Sequence, residues 1–542
     1  MTVIYVDPSA VTNGAGTLGS PRNVPPTSIA YGDYVLFKEG TRLSGGWIVP
    51  VPTGTPFEAN RVVIGTYDAE SGARIVRAAG NRRARIDGTG SLDALLIQRD
   101  YVTAGYLELR EARNFPNAGV RVLNASNVTV EDCFIDSGDY PVGGAYGIRF
   151  DNATGSGAAR SGWIIRNNTI DRTTGNAGII CVWSSTAGES VSDITVEGNT
   201  VTGNLLRVAG ATNDGITIIG RATTYYTNPT GLKSKGVRVR GNVVRRTHSY
   251  AFKIQGAMAG GTQTNEFTRN EAYEIGDGAT DMHCIWLAAC EDFLVEGNVV
   301  NGSNAWMGQD TGTGVGIFID KPFSDLDGCL RVRVRGNDVR NTGRGGTLNS
   351  EVGGAGILCL LSSDVRIESN VVVGCKNGVV VIGRYGTGTT NNVRVANNLV
   401  DRCDEVGIYT VKDAQNVSVV NNVVTRCKYG IGVQLTGLLP VSVGYSEQTN
   451  VTYGHTQHAY MSSNEPEAAV PAYTSRTAPG GALQIDPMLR DSSDAGAGFR
   501  DESPCWRAGT FIGAEVTDFT GVPFSRPVDI GPWARPQYAR AA

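Results

Sequence analysis

The sequence predicts a right-handed parallel β-helix, a solenoid of stacked three-strand coils. Three observations carry this: a strand–Asn–strand unit that recurs, a spacing between units that suits one coil, and a composition rich in glycine and poor in charge. About eleven coils or more are expected over the length of the chain.

The unit is a brief apolar/polar alternation, then Gly-Asn or Asn-Asn, then a second short strand. It reads DITVEGNTV over 193–201, GVRVRGNVV over 236–244, DFLVEGNVV over 292–300 and RVRVRGNDV over 331–339. DVRIESNVV (364–372), NVRVANNLV (392–400) and NVSVVNNVV (416–424) continue it, with weaker copies at 100–108, 127–135, 162–170 and 264–272. Its asparagines are Asn168, Asn199, Asn242, Asn270, Asn298, Asn337, Asn370, Asn398 and Asn422. Asn370 to Asn398 is 28 residues and Asn398 to Asn422 is 24, the length of three short strands with their turns. The 43 residues from Asn199 to Asn242 and the 39 from Asn298 to Asn337 are one coil plus an inserted loop. Asparagine suits this turn because it tolerates a left-handed backbone and because its amide bonds to an Asn in the coil above and below.

A further strand follows each Asn turn, usually opened by glycine: GIRF (147–150), GIICV (178–182), GITII (215–219), AFKIQ (251–255), GIFID (316–320), GILCL (356–360), GVVVI (378–382) and GIYTV (407–411). Alternate residues are expected to fill a thin core and the others to face solvent. Stacked coils pair each other's backbones, which leaves no open edge along the stack. The ends depart from the period. Residues 1–99 hold irregular strands such as VIYVD and DYVLFKEG around Pro25-Pro26, and residues 436–542 lose the Asn period and become rich in Pro, Ser and Tyr. We therefore expect an N-terminal cap with the first irregular coils over 1–99, a central β-helix over 100–435, and a capping or oligomerisation segment over 436–542.

With 71 Gly among 542 residues and only 18% charged, the composition suits short strands and tight turns and argues against a helical bundle. A net charge of −4 gives no footprint for nucleic acid. No uninterrupted apolar run approaches the ~18–20 residues that span a bilayer, so no membrane insertion is expected. The opening Met1-Thr-Val-Ile-Tyr-Val-Asp7 reads as a strand rather than a signal peptide, having neither a basic n-region nor a long apolar h-region. Cys375, Cys403 and Cys427 occupy one repeat-equivalent position in VVVGC, LVDRC and VVTRC, which predicts buried thiols in an internal stack rather than disulfides. The absence of CxxC, HExxH, GxSxG and P-loop patterns disfavours zinc, α/β-hydrolase and nucleotide chemistry.

The opening IYVDPSA…GTLGSPRN and GDYVLFKEGT (32–41), with the closing LQIDPMLRD…FRDESPCWRAG…VDIGPWA (483–534), resemble pectate-lyase-like β-helix proteins, most of all bacteriophage tailspikes and polysaccharide depolymerases. With the repeats, the resemblance covers nearly the whole chain. It is specific for fold and much less so for reaction, because that superfamily includes lyases, glycoside hydrolases, epimerases and tailspikes. Within it, the missing secretion signal favours a tailspike or similar virion-borne depolymerase, in the virion tail or outside the cell. The resemblance implies a homotrimer acting on a bacterial surface polysaccharide, capsule or O-antigen. No separate head-binding domain precedes the repeats, so attachment would use the short N-terminal segment or a virion adaptor protein. No cofactor is required, although a lyase of this kind needs its substrate carboxylate neutralised by Lys253, Arg149 or an acid-bound Ca²⁺.

Stacking turns the glycine-opened strands into columns, with neighbours ~4.8 Å apart. The residue before each strand reads Tyr146, Ala177, Asp214, Tyr250, His283, Val315, Ala355. The first outward position reads Arg149, Ile180, Thr217, Lys253, Trp286, Phe318, Leu358, and the next Asp151, Val182, Ile219, Gln255, Ala288, Asp320, Leu360. Most entries are aliphatic, but the central coils collect Asp214, Tyr250, Lys253, His283 and Asp320, the candidate catalytic groups. Arg149, Gln255, Trp286, Phe318 and Asp281 are the candidate substrate contacts. His248 and the loop acids Glu274, Asp277 and Asp310 lie close in sequence, and insertions near 221–235 and 303–314 would wall a groove.

The chemistry points to a polysaccharide. Aromatic faces stack on sugar rings, one acid protonates a glycosidic oxygen, and a second carboxylate activates water or attacks carbon. In a lyase, Lys253, Tyr250 or His283 would instead take the C5 proton of a uronic acid. Three readings stay open: a tailspike that cleaves its receptor glycan, a cellular or secreted lyase, hydrolase or epimerase, and a non-catalytic structural or glycan-binding β-helix.

Overall fold

The computed structural model describes residues 1–76, 82–88, 93–110, 117–136, 146–152, 158–173, 177–184, 190–203, 214–221, 234–258, 264–275, 283–302, 314–321, 328–343, 354–383, 389–412, 414–436, 439–440, 444–463, 473–475, 477–479 and 482–487, with the single positions 503, 505 and 532. The chain forms two compact units, Met1–Asn265 and Glu266–Ala542. Each is a stack of right-handed parallel β-helix coils, and each coil gives one strand to each of three parallel sheets. Among the described residues the one helical element is the short 3-10 turn Glu58–Asn60, and no helix is long and apolar enough to cross a membrane.

In the N-terminal unit the first sheet begins with Val3–Val6, Tyr34–Lys38 and Val62–Tyr67, so the irregular strands of the opening segment already stack in parallel. In the C-terminal unit the third sheet runs from His283–Ala288 through Val315–Asp320, Ala355–Leu360, Asn377–Ile382, Val406–Val411 and Tyr429–Thr436 to His458–Ser463. Inward side chains are aliphatic and fully buried: Val334, Ile367 and Val395 from the first sheet, Val339, Val372 and Val400 from the second, Ile317, Ile357 and Val379 from the third. Residues at the same position of successive coils pack on one another, so each coil buries its apolar row against the next. The opening glycines are required by close approach. A Cβ on Gly378 would stand 2.2 Å from the Gly407 carbonyl oxygen and 2.3 Å from Val400 Cγ1.

The asparagine ladder forms within each unit. In the first, Asn168 Nδ2 donates to Asn199 Oδ1 at 2.9 Å, and Asn199 to Asn242 at 2.9 Å. In the second, the bonds run Asn270, Asn298, Asn337, Asn370, Asn398, Asn422 and then Asn450, at 2.8–3.2 Å. Each rung also takes the backbone N–H of the previous Asn, as Asn370 Oδ1 does from Asn337 at 3.0 Å. Two expectations need correction. The left-handed residue is not the ladder Asn but the one before it, as at Asn167 (φ 56°), Ser369 (φ 57°), Asn397 (φ 55°) and Asn421 (φ 57°). That conformation turns the chain so that the next amide points along the stack. The Asn period also persists one coil past 436: Ser446–Gln448, Val451–Tyr453 and His458–Ser463 add a coil in which Thr449 (φ 48°) precedes Asn450.

All ten cysteines are free and buried. Cys403 and Cys427 stack as predicted, the Cys403 backbone N–H donating to Cys427 Sγ at 3.4 Å, and the side-chain hydrogen bond between the two thiols, with burial, pushes the Cys403 thiol well above its ordinary range. The outward residues of the third sheet do not face solvent as alternation predicts. Ile180, Val182 and Ile219 are buried together with Ala118, Tyr146 and Ala177, and Tyr409 is buried as well. Apolar side chains at outward positions gain stability by being covered, and here they are.

Candidate functional site

The third sheet carries the candidate residues, in one group per unit. In the N-terminal unit, Arg149 lies opposite Ile180, Ile180 opposite Thr217 and Thr217 opposite Lys253. Asp151, Val182, Ile219 and Gln255 form the neighbouring column. The register read from the repeats is therefore the observed one.

Asp214 opens its strand and is 6% exposed. Its carboxylate accepts the Tyr250 backbone N–H at 3.4 Å and the Thr217 hydroxyl at 3.2 Å. Burial raises the Asp214 carboxyl above the ordinary range, opposed by the nearby Lys253 ammonium and by these hydrogen bonds. Lys253 Nζ stands 4.9 Å from the centroid of the Tyr250 ring. An acid that resists ionisation, an ammonium and a phenol thus share one patch, with half-buried Gln255 on the same strand as Lys253.

Arg149 does not join that patch. Ile180 and Thr217 stand between it and Lys253, and its Nε and Nη2 donate to Asp151 Oδ2 at 3.1 and 2.5 Å. Its guanidinium lies 5.1 Å from the Tyr146 ring centroid. Arg121, half-buried and opposite Arg149 in register, reaches Asp151 at 3.6 Å and Asp93 at 3.9 Å, which makes a network with the buried Arg149, Asp151 and Asp93. The sequence held a signal for this network: GVRVL (119–123) places Arg121 one coil before the Arg149 of GIRF.

In the C-terminal unit, Trp286 lies opposite Phe318 and Ala288 opposite Asp320. The Trp286 indole Nε1 donates to Asp320 Oδ2 at 2.9 Å. The His283 ring meets Phe318 edge-on, with centroids 4.8 Å apart and planes at 72°. Asp320 is 6% exposed, and burial lifts its carboxyl to about 7, against the lowering pull of the Trp286 indole and the Lys321 backbone N–H. Such an acid is half protonated at neutral pH, the condition for donating a proton to a leaving oxygen.

His248 is buried in the N-terminal unit, and Glu274 is half-buried with a left-handed backbone (φ 55°). Asp281, Asp277 and Asp310 lie outside the described residues, as do most of the two insertions. Among the described residues no three His, Cys, Asp or Glu side chains gather into a cation site. Asp214 faces an ammonium and Asp320 an indole, so neither belongs to the multi-oxygen cradle that Ca²⁺ takes, and the chemistry below is derived without one.

No family model and no curated protein matches the chain. Solved structures resemble it at low identity. One is a mannuronic acid specific polysaccharide family 6 lyase from human gut microbiota, with a TM-score of 0.41 at 11% identity over 84% of this chain and 87% of that one. Another is the A-module of a mannuronan C-5 epimerase from Azotobacter vinelandii, with a TM-score of 0.38 at 12% identity over 83% and 89%. The Dettilon tailspike protein gives 0.35 at 14% identity over 71% and 59%.

Proposed function

We propose that this protein binds and cleaves a bacterial surface polysaccharide, capsule or O-antigen, as a homotrimeric tailspike-type depolymerase of a virion tail. The observation that carries the reading is the Trp286–Asp320 pair: a carboxyl held near pKa 7 by burial, with an indole and the Phe318 ring beside it. In this reading Asp320 protonates the glycosidic oxygen as the bond to the anomeric carbon breaks. Trp286 and Phe318 are buried, 8% and 9% exposed, so they desolvate the acid rather than offer the open stacking faces expected from alternation, and the Trp286 N–H keeps the carboxylate oriented once its proton has left. His283, in the same unit as Asp320, is a candidate contact beside it, while Asp214, also raised by burial, and Gln255 are candidates of the N-terminal group.

A second reading is supported by the N-terminal group. Lys253, beside Tyr250 and Asp214, offers a base and a phenol for taking the C5 proton of a uronic acid and protonating the departing oxygen, as a lyase does. One experiment separates the two. The protein is incubated with a panel of capsules and O-antigens, and products are followed by reducing ends and by the ultraviolet absorbance of an unsaturated uronide. Reducing ends without that absorbance, lost in Asp320→Asn, support hydrolysis. Absorbance lost in Lys253→Ala and Tyr250→Phe supports elimination. Neither signal on any glycan of the true host overturns the cleavage reading.

A further inference from the structure

The outer face of the first sheet in the Glu266–Ala542 unit carries a groove of about 670 Å³ that plays no part in the chemistry above. Its floor is a stack of arginines. Arg333 lies opposite Arg366, and Arg366 opposite Arg394, on consecutive coils, so guanidiniums leave the sheet about every 4.8 Å. Val334, Ile367 and Val395 beside them in sequence are fully buried, which fixes the arginines as outward. Like charges directly opposite on paired strands are unfavourable, and the fold does not ask for them. The repeat-equivalent position in the Met1–Asn265 unit reads Val63, Thr103, Thr129, Ile164 and Thr195 before Arg238.

Five arginines and two aspartates line the groove. At its edges acids hold individual arginines: Asp292 takes Arg331 at 2.5 Å, Glu296 takes Arg335 at 2.7 Å, and Glu368 takes Arg394 at 2.5 Å. Asn392 and Asn416, exposed along the rim, add amide donors and acceptors of the kind that meet sugar hydroxyls. Among the described residues the one aromatic side chain lining it, Phe293, is 1% exposed and offers no platform on which bases would stack. Guanidinium forks recurring along an axis match carboxylates or sulfates recurring along an extended chain, because each fork takes one anion through two parallel hydrogen bonds.

We infer that this groove is a non-catalytic binding track for a linear acidic polysaccharide lying along the coil axis, with the stacked Arg333, Arg366 and Arg394 as its anion contacts. The inference is independent of the cleavage reading, since Asp320 is no part of the groove. The test measures binding of polygalacturonate, dextran sulfate, uncharged dextran and single-stranded DNA by calorimetry, using the full-length protein, Asp320→Asn and the double variant Arg333→Gln/Arg366→Gln. Arg394 is left in place because Glu368, 3% exposed, depends on it. The expected result is binding of one or both polyanions, weakened by added salt, absent for dextran, unchanged in Asp320→Asn, and reduced about tenfold or more in the double variant at unchanged melting temperature. The polyanion preferred tells carboxylate from sulfate recognition. The inference is overturned if neither polyanion binds, if the double variant binds as well as wild type, or if single-stranded DNA binds more tightly than either glycan. A change of oligomeric mass in the double variant would also overturn it, by making this face a contact between copies.

Discussion

The indole of Trp286 and the carboxylate of Asp320 meet across adjacent coils of the third sheet, Nε1 to Oδ2 at 2.9 Å. The two residues are 34 positions apart in the chain, and only coil stacking brings them together. Burial raises the Asp320 carboxyl while the indole N–H favours its ionised form, and burial wins. Several expectations follow from this balance and from the scaffold that fixes it.

Asp320→Asn should lower the rate of glycan cleavage by on the order of 10²–10⁴-fold while leaving binding nearly intact, since it removes a proton donor and no stacking surface. Trp286→Phe keeps an aromatic face but removes the hydrogen bond that favours the carboxylate. The limb of the pH–rate profile set by Asp320 should then move to higher pH. A profile superimposable on wild type would disconnect the indole from the chemistry.

Stability should carry the same signature. Asp320 has a folded pKa of about 7, raised from 3.8, so between these values the folded protein holds a proton that the unfolded chain has released. Its contribution to stability is therefore full below about pH 4, lost progressively as pH rises to about 7, and constant above. The difference amounts to roughly 4 kcal/mol at the upper end. Asp320→Asn should flatten the fall, gaining on wild type between pH 5 and pH 8 in thermal unfolding. Parallel melting curves across that range would contradict the assignment.

The asparagine ladder should be costly to interrupt. Asn370 donates to Val334 O and Asn398 Oδ1, both at 3.0 Å, and its Oδ1 accepts the Asn337 backbone and side-chain N–H groups. Asn370→Leu strands these buried partners, and we expect a loss on the order of 3 kcal/mol or more. Denaturant unfolding gives the number. Asn397→Gly should be tolerated far better, because the residue before the ladder Asn at this coil has a left-handed backbone (φ 55°) that suits glycine.

Cys375, Cys403 and Cys427 should resist a thiol reagent until the protein is denatured, since each is at most 2% exposed. Rapid labelling of the native protein, or disulfides among the three found by mass spectrometry, would refute the internal stack.

A tailspike should assemble as a trimer, closing its flanks about a three-fold axis. Light scattering should return three times the 57.3 kDa chain mass at micromolar concentration. A single-chain mass would count against the tailspike reading while leaving the β-helix untouched.

Much of the site was legible because a solenoid converts sequence period into spatial register. Once Asn370, Asn398 and Asn422 mark successive turns, Arg149 must stand opposite Ile180, and Trp286 opposite Phe318, as they do. The arginine stack was equally visible in RVRVRGN, DVRIESN and NVRVANN, where Arg333, Arg366 and Arg394 hold one position of the repeat. It stands out only once that sheet face is known to be grooved. The left-handed turn residue was read one position late, because Asn favours both the strained backbone and the stacked amide, and composition cannot separate the two roles.

The sequence by itself determined the coil, the strand order, the ladder and the columns, since all of these follow from local periodicity repeated in register. The tertiary structure alone decided which outward residues are covered, that Arg149 is spent on Asp151, and that Asp320 sits against an indole with its carboxyl near 7. The reason is physical. Periodicity assigns a side chain to a face, but burial, ion pairing and pKa depend on what else reaches that face from distant parts of the chain.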